Sequence, residues 1–563
     1  MLSKRKHITV LLASIVTIIL ATSVGQAAAA AAATSNVRAS DNNEKTQYKQ
    51  PNIILLLTDD QDVLLGGIDR MPSLRQYLID RGTTFTNAYV HTPICCPSRS
   101  SILSGRYLHN GVTKNNSVSG NCNGQEWRDD AERKTFAVYA QEAGYVTSYA
   151  GKYLNAYGCQ KSNVAECKRV PPGWDKWFGL VGNSRYYNAT IVNSDDGGTT
   201  SRLLKHGDDY EKDYLPDALC NRTLDMIREF TREEEKKKPF LIVNAWPTPH
   251  GPFTPAPWAE HAFDGVKAPR TANWNASSNA MQQKHWMLRQ LLPIDNITES
   301  LIDTTYQHRL EALLSVDDHI GQIARLLEAK GELDNTIIIY TSDHGFQLGQ
   351  HRLAVDKRHL YEHDIKVPFI AFSGRSAEKR TSNEIVLNID IAPTIYELST
   401  GSSDIPESMD GSSFAALLNG GGGGSRNRRT STSRIRDDFL ISYHGEGYAP
   451  CGMAECPPNP HGGWMPDAWN NTYHCVRTVT SESTDGHVDS IFCLFEDNEN
   501  FVEYYDLTVD PRQLSNKYNE LSPEEIDMYK DRLAQLRSCH GSSCRARVRL
   551  DNTREQDVSR ISA

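Results

Sequence analysis

The hydrophobic pattern of the chain contains short apolar runs in which polar and apolar positions do not alternate. Such runs are typical of strands buried on both faces, as in a parallel or mixed sheet covered by helices. Each run is followed by polar residues. Asp59 and Asp60 follow the run 52–58, and His250 comes after the run 240–244. Asp343 and His344 follow the run 336–341. Ligands gather at the carboxyl ends of strands in α/β sheets. The pattern therefore predicts a binding site at that edge.

Helical periodicity separates these strands, for example over 310–330, where Gly331 marks the end. Strands that alternate with helices indicate an α/β domain. We place this domain at 50–418 and expect a large mixed sheet flanked by helices.

Beyond residue 435 the pattern changes to short strands with loops between them, and it predicts a smaller α+β domain at 435–545. A helix follows, with Ser522 as N-cap and Pro523 at its first position. The predicted elements are strands at 439–443, 473–480, 491–496 and 502–506 and a helix at 523–536. Glycines 420–424 and the arginines after them predict a linker or exposed loop at 419–434. Residues 546–563 form a tail.

The N-terminus indicates the compartment. Lys4, Arg5 and Lys6 precede an apolar stretch, and an alanine run ends at Ala33. A basic region, an apolar core and small residues before a cleavage point predict a signal peptide at 1–33. The alternative is an uncleaved membrane anchor, because the stretch is near the lower length limit for spanning. No later segment is apolar enough to cross a bilayer, so we expect no integral membrane span in the mature protein.

Twelve cysteines in an exported chain predict several disulfides. Spacing does not give their connectivity, although Cys539 and Cys544 are close enough to close a short loop. The cysteines outside the pair Cys95–Cys96 are Cys122, Cys159, Cys167, Cys220, Cys451, Cys456, Cys475, Cys493, Cys539 and Cys544. Together with the leader, scattered sequons predict a glycosylated protein. They stand at Asn115, Asn188, Asn221, Asn275, Asn296 and Asn470.

The formal net charge of -10 argues against a general polyanion-binding surface, and we expect no nucleic-acid partner. If the substrate is anionic, positive charge must be concentrated locally.

The strongest chemical motif is Cys95-Cys96-Pro97-Ser98-Arg99, continuing to Ser104-Gly105-Arg106. Alone, it is equally compatible with a disulfide or a buried thiol pair. Combined with Thr58-Asp59-Asp60-Gln61 and Ser342-Asp343-His344-Gly345, it resembles the signature of the sulfatase family. The resemblance implies the alkaline-phosphatase-like sulfatase fold and conversion of Cys95 to formylglycine by the formylglycine-generating enzyme. An odd number of cysteines then remains, and we predict Cys96 as a free thiol.

The chemistry of sulfate esters explains the need for this modification. An aldehyde hydrate has two hydroxyl groups: one attacks sulfur and forms a covalent sulfated intermediate, and the other then expels sulfate. A serine lacks this internal exit. Attack also requires positive charge around the sulfate oxygens, which a metal and basic side chains provide.

The resemblance implies a divalent cation held by Asp59, Asp60, Asp343, His344 and the modified Cys95. Carboxylate oxygens suit a hard cation such as Ca²⁺. Two adjacent aspartates can instead cap a helix or form a turn. His344 departs from the asparagine of many sulfatases; either it ligates the metal, or it only hydrogen-bonds the sulfate or another ligand.

The remaining basic residues are carried over from the family pattern by their joint order and spacing. Arg99 resembles the arginine that supports formylglycine, and Lys152 the lysine that binds sulfate. His250 and Lys357 match a sulfate-contacting histidine and a second lysine. Leu154 occupies a position where many sulfatases have histidine, so that role is lost or supplied elsewhere. His250 and Lys357 both remain candidates for the general acid that protonates the leaving alkoxide.

Five further stretches resemble the N-acetylglucosamine-6-sulfatases and the catalytic domain of the heparan 6-O-endosulfatases; they are 51–62, 151–155, 284–286, 314–318 and 364–368. C-terminal stretches, including Glu446-Gly447, 470–473 and 475–478, resemble the exo-acting enzymes, and the long basic insertion of the endosulfatases is absent. This implies hydrolysis of 6-O-sulfate from glucosamine residues of heparan sulfate or keratan sulfate, in lysosomes or outside the cell.

Several alternatives remain at this stage. An endosulfatase-like or arylsulfatase activity is possible within the family. A phosphatase or phosphonate hydrolase is disfavoured because those enzymes use Thr or Ser as nucleophile, and an inactive sugar-binding protein would keep Cys95 unmodified. The basic segment at 426–436 is either a linker or a glycosaminoglycan contact, and the neighbouring glycines favour a linker.

Overall fold

The computed structural model describes residues 50–158, 166–232, 238–418, 434–446, 467–468, 470–480 and 487–548. The predicted signal peptide, nearly all of the predicted linker, most of the predicted tail and three cysteines (Cys159, Cys451 and Cys456) lie outside these residues. Within them, no helix is both long enough and apolar enough to cross a bilayer.

A ten-stranded mixed sheet forms the centre of the larger part of the fold. Its strands are β1 (Asn52–Thr58), β2 (Thr83–Tyr89), β3 (Val146–Lys152), β4 (Lys176–Leu180), β5 (Thr190–Ser194), β6 (Arg202–Lys205), β7 (Phe240–Ala245), β8 (Thr336–Ser342), β9 (Phe369–Ser373) and β10 (Arg380–Leu387). Their order is β10-β2-β9-β8-β1-β7-β3-β4-β5-β6. The neighbours β8, β1, β7, β3 and β4 pair in parallel, whereas β9, β5 and β6 are antiparallel to their neighbours. The predicted mixed α/β sheet is confirmed.

The helices are α1 (Pro72–Tyr77), α2 (Cys95–Ser104), α3 (Leu108–Gly111), α4 (Gln125–Asp129), α5 (Phe136–Glu142), α6 (Tyr210–Asp213), α7 (Leu215–Phe230), α8 (Ser278–Met281), α9 (Trp286–Arg289), α10 (Asn296–Ala329), α11 (Glu362–Ile365), α12 (Ile391–Thr400), α13 (Ala415–Leu418), α14 (Pro523–Ser538) and α15 (Ser542–Arg545).

Alternate residues of β1 pack on opposite faces of the sheet, which explains its continuous apolar sequence. Ile53 and Leu55 belong to one hydrophobic cluster, which includes residues of α2, α5 and α12. Ile54 and Leu56 belong to a second cluster, which includes residues of α1, α7 and α10. Every residue of β1 is buried. Both faces of the sheet are therefore covered by helices, as expected for a parallel region.

The smaller C-terminal sheet is antiparallel and consists of β11 (Asp438–Tyr443), β12 (Tyr473–Val479), β13 (Asp489–Phe495) and β14 (Val502–Asp506), in that order. Helix α14 packs on it, and the rings of Tyr529 and Phe492 stack 5.1 Å apart. The predicted N-cap is confirmed, because Ser522 Oγ accepts from Glu525 N; Glu525 also accepts from Ser522 N, which completes a capping box. These elements agree with the predicted α+β part of the chain.

The predicted boundaries differ most at α10, which begins at Asn296 rather than at residue 310. Asp295 caps its N-terminus by accepting from Thr298 N at 2.8 Å. The first turns of α10 contain Thr298, Thr304 and Thr305, a residue type of low helix propensity, and packing stabilises them instead.

Candidate active site

The polar clusters meet at the carboxyl edge of the large sheet because their strands are neighbours. In the parallel pairing of β1 with β8, Thr58 lies opposite Ser342, so Asp59 and Asp343 leave the sheet side by side. Asp343 N donates to Thr58 O at 3.2 Å, and Asp60 N donates to Asp343 Oδ1 at 3.1 Å. Carboxylates from two segments that are far apart in sequence therefore converge.

Glycines in two of the motifs allow the backbone to approach closely at this edge. Gly151 has φ 116°, and a Cβ there would lie 1.9 Å from Ala245 O on the adjacent strand β7. A Cβ on Gly345 would lie 1.9 Å from His363 O. Side chains at these positions would push apart the segments that carry Lys152 and His344.

Cys95 is the first residue of α2, so its side chain lies at the positive end of a ten-residue helix. The side chain is buried, and Sγ lies 3.3 Å from His344 Nε2 and 4.0 Å from Asp59 Oδ1. Burial alone would raise the pKa of the Cys95 thiol, but the positive charges of Lys152, Lys357 and His344 lower it well below the ordinary value. The surroundings of the Cys95 side chain therefore stabilise a negative charge there.

The prediction that Cys96 is the free thiol is wrong, because Cys96 forms a disulfide with Cys122. Consecutive helix residues point about 100° apart, so Cys96 faces the 112–124 segment while Cys95 faces the carboxylates. Among the described cysteines the free ones are Cys95 and Cys220, and Cys220 is buried on α7. Cys539 and Cys544, which the sequence places close enough to close a short loop, form a disulfide, and Cys475–Cys493 links β12 to β13.

Each carboxylate of the cluster has a basic partner. Lys152 Nζ donates to Asp59 Oδ2 at 2.6 Å, Lys357 Nζ to Asp60 Oδ1 at 2.8 Å, and Arg99 Nε to Asp343 Oδ2 at 2.7 Å. All six side chains are nearly or fully buried. Although burial raises the pKa of Asp59 and Asp60, these partners and His250 lower both values well below the usual range.

The donor set fits a divalent cation. Ligand atoms of Asp59, Cys95, Asp343 and His344 lie within 4.8 Å of one another, and those of Asp59, Asp60, Cys95 and His250 do so as well. His344 Nδ1 lies 3.0 Å from Gly345 O, whereas Nε2 lies 3.5 Å from Asp60 Oδ1 and 3.6 Å from Asp343 Oδ1. Nε2 therefore faces Cys95 and the carboxylates, while Nδ1 is oriented by a backbone carbonyl, as in a metal-binding histidine.

The titration behaviour of His344 and Asp343 also indicates a need for positive charge. Burial lowers the pKa of His344, but Asp343, Cys95 and Asp60 raise it to about 9. Burial and the charge of Asp59 raise the pKa of Asp343 to about 6. Asp343 and His344 therefore hold protons more strongly than such groups usually do, and a divalent cation bound beside them would displace those protons.

His250 borders this cluster from the loop after β7. Its Nε2 lies 3.9 Å from Asp60 Oδ2, its Nδ1 lies 2.8 Å from Gly251 O, and 17% of its side chain is exposed. Burial lowers the pKa of His250, but the charges of Asp60 and Asp59 outweigh it and raise the value. The structure therefore brings all nine predicted site residues together.

Leu154 is buried in the apolar core, so this position supplies no polar group to the site. Sequence reasoning missed two side chains that contact site residues, Ser184 and Arg309, and one that contacts loops beside the site, Glu446. Ser184 Oγ donates to Asp59 Oδ2 at 2.6 Å, Arg309 Nη2 donates to Asp60 O at 2.6 Å, and Glu446 Oε1 accepts from Asn116 N at 2.7 Å. None belongs to the signature segments; only Glu446 stood in a stretch with a noted resemblance.

The sequence model of the family described as Sulfatase matches residues 51–402. The chain belongs to the sulfatase family. It is a sulfuric ester hydrolase, and the cluster at the sheet edge occupies the signature segments of that family.

The similar relatives include the N-acetylglucosamine-6-sulfatase of Homo sapiens, which is 39% identical over 88% of this chain and 86% of its own length. A putative extracellular sulfatase Sulf-1 homolog of Caenorhabditis elegans is 42% identical over 70% of this chain, but over only 52% of its own length. A protein solved in complex with its substrate D-glucosamine-2-N, 6-O-disulfate has a TM-score of 0.62 and 23% identity, covering 87% of this chain and 97% of that one. That likeness shows the shared fold of this sulfatase.

Proposed function

We propose that this sulfatase removes 6-O-sulfate from terminal N-acetylglucosamine or glucosamine residues of heparan sulfate or keratan sulfate. The observation that carries the proposal is the placement of Cys95 at the start of α2, between three carboxylates and the basic groups Lys152, Lys357 and His250. The 39% identity to N-acetylglucosamine-6-sulfatases over most of both chains supports the choice of sugar.

The proposed nucleophile is a hydroxyl of the formylglycine hydrate derived from Cys95, and we expect the formylglycine-generating enzyme to act on the chain during maturation. Asp59, Asp60, Asp343 and His344 would hold one divalent cation, which we propose is Ca²⁺ because most of these ligands are carboxylates. Such a cation stabilises the negative charge on sulfate oxygens and favours the deprotonated nucleophile.

The protein's own side chains have separate tasks in this mechanism. Arg99 donates to the Asp343 carboxylate and, at 2.7 Å, to Lys152 O at the end of β3. It therefore fixes the position of Asp343 relative to β3. Lys152 and Lys357 supply fixed positive charge beside the reacting sulfate. His250 is the proposed acid for the leaving 6-oxygen, because its Nε2 has no partner closer than 3.9 Å in the described residues and its side chain is partly open.

An exo mode of action fits the charge distribution. The chain carries a net charge of -10. Its buried basic side chains at the site are grouped around Cys95 and do not form the extended basic surface that a long polyanion would need. Arg436, from the basic segment considered as a glycosaminoglycan contact, is held by Asp390 through Nη2 at 2.8 Å. The alternative of an endosulfatase-like enzyme is supported by the 42% identity to the nematode Sulf-1 homolog.

The compartment that we propose is the lysosome or the extracellular space, reached through the secretory pathway. Disulfides such as Cys96–Cys122 and Cys475–Cys493 support an oxidising environment. Asn188, Asn221, Asn296 and Asn470 of the predicted sequons are exposed and suit glycosylation.

A substrate panel tests this function. The purified protein is incubated with N-acetylglucosamine 6-sulfate, with 6-sulfated heparan oligosaccharides and with intact heparin, and sulfate release is measured. We expect release from the monosaccharide and from the non-reducing ends only. Release of internal sulfates from heparin without action on the monosaccharide would contradict the exo assignment.

A further inference from the structure

Arg309 is a buried arginine that sequence reasoning did not identify. It lies outside the sheet and contacts the segment after β1 that carries Asp59 and Asp60. It lies on α10, and only 4% of its side chain is exposed. Its Nη2 donates to Asp60 O at 2.6 Å, and its Nη1 donates to Pro249 O at 3.3 Å. One guanidinium therefore joins the backbone of a proposed metal ligand to the backbone beside His250.

The two carbonyl groups belong to segments that leave different strands. Asp60 follows β1, and Pro249 follows β7. The planar fork of an arginine can donate to two acceptors at once, whereas a lysine has a single ammonium group on a flexible stem. The contact sets the separation between Asp60 and His250, whose side chains lie 3.9 Å apart.

Asp60 needs such support because its backbone is in the left-handed region, with φ 69°. This conformation is unfavourable for residues other than glycine, although aspartate tolerates it better than most. The peptide is held on both sides: its N–H donates to Asp343 Oδ1 at 3.1 Å, and its carbonyl accepts from Arg309. Without the second contact, the Asp60 carboxylate loses a constraint on its direction.

A third segment of the site fixes the guanidinium itself. The guanidinium carbon lies 3.9 Å from the ring centroid of Phe346, two residues after His344. Asp62 Oδ1, 3.6 Å away, supplies an opposite charge. The planar group is therefore stacked and paired before it reaches the two carbonyl groups.

We propose that Arg309 is a positioning residue that holds Asp60 in its metal-binding orientation and keeps His250 at a fixed distance from it. This role deepens the proposed function, because it concerns the same cation and the same acid. Arg309 itself does not contact the cluster of carboxylate oxygens and does not take part in bond making.

The test compares Arg309→Lys and Arg309→Gln with wild type, and Arg325→Gln serves as a matched control. Arg325 lies on the same helix, and 53% of its side chain is exposed. Each full-length protein is stripped with a chelator and titrated with Ca²⁺ alone, and the Ca²⁺ concentration that gives half of the thermal shift is recorded. Then kcat and KM are measured on N-acetylglucosamine 6-sulfate.

We expect Arg309→Lys to need about tenfold more Ca²⁺ and to lose about tenfold in kcat, with KM within about threefold of wild type. Arg309→Gln should lower kcat by up to about a hundredfold. Arg325→Gln should match wild type. A purely structural role would lower Tm in the chelator without moving the half-saturating Ca²⁺ concentration.

If Arg309→Lys has the half-saturating Ca²⁺ concentration and the kcat of wild type, the proposal is overturned, even if Arg309→Gln fails to fold. A wild-type protein with no Ca²⁺-dependent shift would overturn the calcium site and this role together. If Ca²⁺ binding responds to the substitutions but wild type releases no sulfate from the sugar, the positioning role stands and the proposed substrate fails.

Discussion

His250 and Lys357 both approach Asp60, but they differ in how tightly they are held. Lys357 Nζ makes two short contacts with the Asp60 carboxylate, at 2.8 and 3.0 Å, and 5% of its side chain is exposed. His250 Nε2 stays 3.9 Å from the same carboxylate. The sequence left the two candidates equal, because a motif gives the presence of a residue but not the partners of its atoms. Geometry favours His250 as the acid.

Replacement of His250 by Gln tests this assignment through the leaving group. A sugar alkoxide needs a proton as it leaves, whereas a nitrophenolate does not. We expect kcat to fall by about 10²–10⁴-fold on N-acetylglucosamine 6-sulfate and by much less on 4-nitrophenyl sulfate.

Lys357→Gln is the comparison variant, because loss of a fixed charge should slow both substrates to a similar extent. Equal losses on both substrates for His250→Gln, measured by steady-state kinetics, would show that His250 is not the acid.

His91 links the signature helix to the rest of the core and gives a pH-dependent stability. Its Nδ1 lies 3.0 Å from Asn388 Oδ1, and Asn388 Nδ2 donates to Ser98 Oγ at 2.9 Å. Burial lowers the pKa of His91 to about 4, while the contact with Asn388 raises it slightly. The unfolded chain therefore binds this proton from about pH 6.5 downwards, and the folded chain only near pH 4.

The wild-type protein should thus lose about 3 kcal/mol of unfolding free energy through His91 as the pH falls from 6.5 to 4. His91→Gln should flatten that part of the curve, measured by urea unfolding at several pH values. His261→Gln, with 80% of its side chain exposed, is the control and should leave the curve unchanged. An unaltered slope in His91→Gln would contradict the buried neutral state.

At the level of elements, the sequence predicted the central strands β1 and β8 well because every residue in them is buried. The bounds of β1 and β14 agree with the prediction, and β8 extends it by one residue. Parallel neighbours then bring Asp59 and Asp343 together without further information. Contacts from side chains outside the motifs could not be predicted, because Ser184, Arg309 and Glu446 approach from loops and helices whose packing is not encoded locally.

The stretch 314–318, which resembled the glucosamine sulfatases, has a structural task within α10. Asp317 accepts from Ser73 N at 3.0 Å and from Leu74 N at 2.8 Å, so it caps α1 from a neighbouring helix. Asp318 is adjacent, and 52% of its side chain is exposed. The pattern alone did not separate these two aspartates.

Asp317→Ala should lower the free energy of unfolding by about 1–3 kcal/mol, because one buried and one partly buried N–H group lose their acceptor. Asp318→Ala should stay within about 0.5 kcal/mol of wild type. Chemical denaturation of both variants measures the difference, and equal stabilities would refute the capping role.

At the scale of the whole molecule, the two sheets share one apolar cluster, and buried polar contacts join them. Lys284 Nζ, from the segment before α9, donates to Tyr505 OH on β14 at 2.6 Å. His285 N donates to Glu503 Oε1 at 2.8 Å. The stretch 284–286, which the resemblance singled out, thus fastens the C-terminal sheet to the catalytic part. Glu446, from the loop after β11, is placed beside Asn116 and Arg358 by the same packing.

The rate of sulfate release from N-acetylglucosamine 6-sulfate by Cys95→Ala tests the central claim most directly. Cys220→Ala is the matched control, because Cys220 is the other free cysteine among the described residues and is also buried. We expect Cys95→Ala to lose essentially all activity while retaining its fold, and Cys220→Ala to keep the wild-type rate. Full activity in Cys95→Ala would contradict the assignment of the nucleophile to position 95.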